Sequence, residues 1–148
     1  MTTAEKQSMN VLLIEDNPGD VLLTQEGLKH AGVPTMLNVA RDGEEALQYL
    51  RKGEGFAEAE TPDLIFLDLN LPRVNGREVL EEIKKDPALH RIPVVVLTSS
   101  AAPNDIAAMY DRYANCYIVK PDGLEKYLQV VQSVNDFWLR TVSRAQSK

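Results

Sequence analysis

The chain has few of the residues that build disulfide or metal-thiolate frameworks. It holds one cysteine, Cys116, and two histidines, His30 and His90, in 148 residues. A lone cysteine excludes an internal disulfide and fits a reducing compartment. Two distant histidines and one cysteine do not assemble a zinc site. No apolar run approaches the roughly 18 residues that a membrane span requires. The first residues, MTTAEKQS, lack the apolar core of an export signal. Positive charge is in deficit, with a net charge of −6, which argues against nucleic acid or an anionic membrane as the main partner. The expectation is a single cytoplasmic domain, long enough to bury about two thirds of its unfolded surface.

Apolar runs of strand length alternate with helical periodicity five times. The strands read from the sequence are Val11–Ile14, Met36–Ala40, Leu64–Leu67, Val94–Leu97 and Tyr117–Val119. Several are nearly continuous in Val, Ile and Leu, as strands covered on both faces are. Asn17 can cap a helix whose first residue is Pro18. Asp42 with Glu45, Asn75 with Glu78, and Asp122 with Glu125 have capping-box spacing. Pro103 can open a fourth helix. Residues 53–62, rich in Gly, Glu and Ala, read as a surface loop. Such alternation implies right-handed crossovers and an α/β fold built on a doubly wound parallel sheet.

Polar residues stand just past the ends of these runs. Glu15 and Asp16 follow VLLI, Asp68 follows LIFL, Thr98 follows VVVL and Lys120 follows YIV. In an open parallel sheet these ends share one edge, where ligands bind at the point at which the strand order reverses. Three carboxylates about 5 Å apart repel by about 3 kcal/mol per pair at an effective dielectric of 20. Such a cluster calls for a cation, and an all-oxygen set suits Mg²⁺, which keeps several waters and binds a few carboxylates plus a phosphate. An aspartate can act as nucleophile toward phosphorus. A metal and a lysine supply the positioning and neutralisation that phosphoryl transfer needs. Taken singly, these residues could be helix caps, turn caps or solvated charges. Together, at the ends of separate strands, they point to a site.

The pattern E-D at Glu15–Asp16, D-L-N-L-P at Asp68–Pro72, Gly76, L-T-S at Leu97–Ser99 and K-P at Lys120–Pro121 resembles the receiver domain of two-component response regulators, from about Met9 to about Gln132. The resemblance implies a five-stranded flavodoxin-like sheet of order 2-1-3-4-5 with five helices. It implies that Asp68 accepts phosphate from a histidine kinase, and that the chain is not an enzyme beyond its own Mg²⁺-dependent phosphorylation and dephosphorylation. By the same resemblance, Glu15, Asp16, Asp68 and the backbone carbonyl of Asn70 hold Mg²⁺. Thr98 and Lys120 contact the phosphoryl group, and Thr98 with Tyr117 forms the conformational switch. Asn70 and Ser100 occupy the positions that tune phosphate lifetime. The Lys120–Pro121 bond is implied to be cis. Asp122 departs from the family pattern, which often has Phe or an aliphatic residue there.

Tyr110, Tyr113, Tyr117 and Tyr127 fall in the fourth helix, fifth strand or fifth helix, and Phe137 and Trp138 follow. Aromatics of this kind are enriched in interface cores. The last helix is expected to run from Leu124 to about Arg144, extending a domain core of about 9–132 by an apolar-striped stretch over about 133–145. This ending and the E-D-N-P-G-D start resemble the stand-alone response regulators of cyanobacterial phytochromes. That resemblance implies a phytochrome kinase as donor and a homodimer through the fourth helix, fifth strand and fifth helix. Two rivals use similar residues. An aspartate-nucleophile phosphatase needs a second aspartate where Asn70 stands, and a receiver-like adaptor would bind partners without phosphorylation. A flavin or nucleotide binder would need a Gly-, Ser- and Thr-rich loop where E-D-N-P-G-D stands.

Overall fold

The computed structural model describes residues 9–29, 35–53, 55–69, 71, 75–98, 116–119 and 124–136, with Thr98, Cys116, Tyr117, Val119, Leu124, Tyr127 and 134–136 described by backbone alone. Five parallel strands, β1 (Met9–Ile14), β2 (Thr35–Ala40), β3 (Leu64–Asp68), β4 (Val94–Thr98) and β5 (Cys116–Val119), form one sheet of order β2-β1-β3-β4-β5. This is the order expected of a flavodoxin-like sheet. Three helices, α1 (Pro18–Lys29), α2 (Gly43–Leu50) and α3 (Gly76–Lys85), and a last helix, Leu124–Asp136, accompany it. The helix expected from Pro103, and the last helix beyond Asp136, lie outside the described residues. Among the described residues, no helix is long and apolar enough to cross a membrane.

The period of two in each strand divides the core into two layers. Leu12, Ile14, Ile65, Leu67, Val94 and Val96 join Ala46, Leu50, Val79, Leu80 and Ile83 of α2 and α3 on one face. Val11, Leu13, Leu64, Phe66, Val95 and Leu97 join Val21 and Leu28 of α1 and Val131 of the last helix on the other. The nearly unbroken apolar runs of β1, β3 and β4 thus follow from helices covering both faces. β2 differs. It lies at the sheet edge, and Met36 and Asn38 are exposed between half-buried neighbours.

The start signals function with one amendment. Asn17 Oδ1 accepts the Asp20 amide at 3.1 Å, and Pro18 opens α1. Asn75 and Glu78 form a full capping box on α3. At α2 only half of the expected box forms. Asp42 accepts the Glu45 amide at 2.7 Å, but the Glu45 carboxylate receives the amide of Arg41, at 2.9 Å, in place of that of Asp42. The Asp122–Glu125 box lies outside the described residues, since Asp122 is not among them. Residues 53 and 55–62 are mostly exposed, as a surface loop is, but are tied down at points along it. Phe56 packs edge-on against Tyr49 with ring centroids 5.5 Å apart, Glu60 accepts from the Asn10 side chain at 2.7 Å, and Pro62 is buried.

Candidate functional site

The connection from β1 through α1 leads to β2 on one side, and the connection from β2 through α2 crosses to β3 on the other. The carboxyl ends of β1 and β3 therefore flank the point where the strand order reverses, the usual crevice of such folds. Ile14 pairs with Leu67, so the next residues of the two strands, Glu15 and Asp68, fall level with each other. The Glu15 amide donates to Ala40 O at 2.9 Å, which extends the β1–β2 ladder by one residue and fixes Glu15 at the edge.

Three acids meet there. Glu15, Asp16 and Asp68 each present a carboxylate oxygen, all within 4.8 Å of one another. Glu15 is 0 % exposed and Asp68 6 %, while Asp16 is exposed to solvent. The Asn17 amide donates to Glu15 Oε2 at 3.3 Å, so the loop that caps α1 also orients the most deeply buried acid. Buried carboxylates at this spacing repel strongly in a medium of reduced dielectric. Their donors are hard oxygens and their summed charge is negative, a set that fits a divalent cation of the Mg²⁺, Ca²⁺ or Mn²⁺ type.

β4 approaches this cluster from the next position in the sheet. Asp68 pairs with Leu97, which places Thr98 one residue beyond it, and Thr98 pairs with Val119, the residue before Lys120. The side chains of Thr98, Tyr117 and Tyr127 lie outside the described residues, as do Asn70, Ser100, Tyr110, Tyr113, Lys120, Pro121, Phe137 and Trp138 entirely. The structure thus joins three of the expected site residues and sets the Thr98 backbone beside them.

One site feature carried no role in the sequence beyond its place in a motif. Gly76 opens α3 directly against the end of β3, and its amide donates to Leu69 O at 3.1 Å. A glycine in a first helical turn, after a good cap, costs helix stability and signals a close approach.

Residues 11–132 match the family described as the response regulator receiver domain. The response regulator Rcp1 of Synechocystis sp. (strain ATCC 27184 / PCC 6803 / Kazusa) is 44% identical over 133 residues, which cover 90% of this chain and 90% of that protein. The crystal structure of the phosphorylated cyanobacterial phytochrome response regulator RcpA superimposes with a TM-score of 0.91 at 47% identity, covering 95% of this chain and 100% of that one. The Mn(2+)-bound form of Rcp1 gives a TM-score of 0.88 at 43% identity, covering 92% of this chain and 98% of that one. The fold, the converging acids and these matches agree that the chain belongs to the response regulator receiver domain family.

Proposed function

We propose that this protein is a two-component response regulator that takes a phosphoryl group from a histidine kinase onto Asp68, in phytochrome light signalling. The observation that carries the reading is the meeting of Glu15, Asp16 and Asp68 within 4.8 Å at the switch-point edge of a receiver-family sheet. The phytochrome assignment draws support from the relatives Rcp1 and RcpA. Asp68 is the nucleophile: one carboxylate oxygen forms a bond to phosphorus as the bond from phosphorus to the donor's imidazole nitrogen breaks. Glu15, Asp16, Asp68 and the Asn70 carbonyl would hold Mg²⁺. When bound, the ion supplies positive charge against the acids and the transferring phosphoryl group. Lys120 supplies a second, covalently fixed charge, and the Thr98 hydroxyl donates to the new phosphoryl oxygens. Thr98 and Tyr117 then relay the change, while Asn70 and Ser100 set its lifetime. The chain pairs as a homodimer through the fourth helix, fifth strand and fifth helix, which hold Tyr110, Tyr113, Tyr117 and Tyr127, with the aromatics Phe137 and Trp138 beside them.

The test is incubation with a phosphorylated histidine kinase, with and without Mg²⁺, for the wild type and Asp68→Asn. Label on the wild type alone, and only with Mg²⁺, is the expected result. Equal labelling of the variant would remove Asp68 from its role. A wild type that binds its kinase but takes no label would favour the adaptor.

A further inference from the structure

We infer that Gly76 is a positioning residue for Asp68, its missing side chain allowing α3 to bear directly on the backbone that carries the acid. A Cβ built at Gly76 would lie 2.6 Å from Asp68 O, 2.6 Å from Leu69 Cα and 3.0 Å from Leu69 O. Optimal separations for such atoms are about 3.5–4.0 Å. All three neighbours are backbone, so no rotamer change relieves the overlap. The demand is spatial, since Gly76 is not among the residues of positive φ.

Both partners in this contact are held, so the overlap is not relieved in place. α3 is fixed by the reciprocal Asn75–Glu78 cap and by Val79, Leu80 and Ile83, which are fully buried. On the other side, Asp68 is the last residue of β3, where it pairs with Leu97, and Leu69 beyond it is buried in the core. Leu69 O accepts both the Leu71 amide, at 3.2 Å, and the Gly76 amide, at 3.1 Å, so a single carbonyl ties that turn to the helix start. An atom added at Gly76 therefore pushes the Asp68–Leu69 peptide and the helix start apart. Asp68 would move relative to Glu15 and Asp16, and the oxygen cluster would lose its spacing. Substitution elsewhere in α3 leaves that spacing intact. The metal part of this inference stands on the carboxylate cluster, and its phosphoryl part rests on the function proposed above.

The experiment compares wild type, Gly76→Ala and Val79→Ala. Val79 is 0 % exposed on the same helix, so its truncation lowers stability without placing an atom against Asp68. Mn²⁺ affinity, thermal midpoint and the saturated rate of phosphorylation by a small acyl phosphate are measured for each. Gly76→Ala is expected to weaken Mn²⁺ binding by about tenfold or more, as loss of support behind a metal ligand does. The phosphorylation rate is expected to fall in parallel. Val79→Ala is expected to melt lower while keeping Mn²⁺ affinity within about twofold. Unchanged Mn²⁺ affinity in Gly76→Ala, or an equal loss in Val79→Ala, overturns the inference. If Gly76→Ala does not fold, Asn75→Ala carries the test, since it loosens the helix start and adds no atom near Asp68. A two- to fivefold loss of Mn²⁺ affinity, roughly, supports the inference there, and an unchanged affinity overturns it. A wild type that accepts no phosphate would defeat the proposed function and leave the Mn²⁺ comparison decisive for Gly76.

Discussion

Lys84 shows how one side chain holds a turn while opposing its own burial. Its Nζ donates to Ile92 O at 2.9 Å and to His90 O at 3.1 Å, closing the chain between α3 and β4. Burial pushes its ammonium below the ordinary value of 10.5. Below that lowered value both the folded and unfolded chains are protonated, and the cost of burying the charge is constant. Between it and 10.5 the unfolded chain binds more protons, so stability rises with pH. Tyr49 acts in the opposite sense. Burial, and secondarily the charge of Glu60, raise its phenol above 10.0, so above that pH the unfolded chain deprotonates first and stability falls. Lys84→Met separates the two. At neutral pH it is expected to cost about 1 kcal/mol through the lost hydrogen bonds. The advantage of the wild type over the variant should grow as the pH is raised toward 10.5 in urea unfolding. An advantage that shrinks over this range would show that Lys84 is not desolvated. None of this was legible in the sequence, where Lys84 reads as an ordinary basic residue in the last turn of a helix.

At the scale of elements, the contact between α1 and the last helix is set by another absent side chain. A Cβ at Gly27 would lie 2.9 Å from both Cβ and Cγ1 of Val131, which is fully buried. Alanine is favoured over glycine within a helix by about 1 kcal/mol. Overpacking against an atom fixed to a neighbouring backbone costs about 1–3 kcal/mol, so the contact wins. Gly27→Ala should lower the thermal midpoint by a few degrees, and Val131→Ala in the same chain should restore part of the loss. A higher midpoint for Gly27→Ala alone would mean that the helices separate freely. The elements themselves were mostly legible, because strands covered on both faces write continuous apolar runs and caps write polar residues at fixed offsets. Their limits were less so. β1 begins at Met9, two residues before the apolar run, because pairing with β2 begins at Thr35. The Glu45 carboxylate was assigned to the wrong amide, since spacing alone does not distinguish Asp42 from Arg41 as its donor.

For the whole molecule, the acidic edge and the aromatic segments assigned to an interface are parts of one proposed switch. In that proposal phosphorylation changes charge at the edge, and the aromatic segments join two copies of the chain. Light scattering at tens of micromolar should give twice the mass of one chain, with the dimer reduced by Trp138→Ala together with Phe137→Ala. A single-chain mass, with and without a phosphoryl mimic, would leave the aromatics without that role. Aromatic anchors carry much of the energy of such contacts.

The sequence by itself determined the alternation of the described strands and helices, the starts of α1, α2 and α3 and the residue types of the site, because periodicity and capping are local in their physics. It also placed Glu15, Asp16, Asp68, Thr98 and Lys120 at strand ends. Tertiary structure alone decided that three of these acids come within 4.8 Å, that Glu15 is wholly buried and that Asp16 is exposed. It alone decided that a Cβ at 27 or 76 would meet close neighbours, since those contacts come from atoms distant in the chain or across a turn. Close packing is a property of surfaces brought together, and no single segment records it.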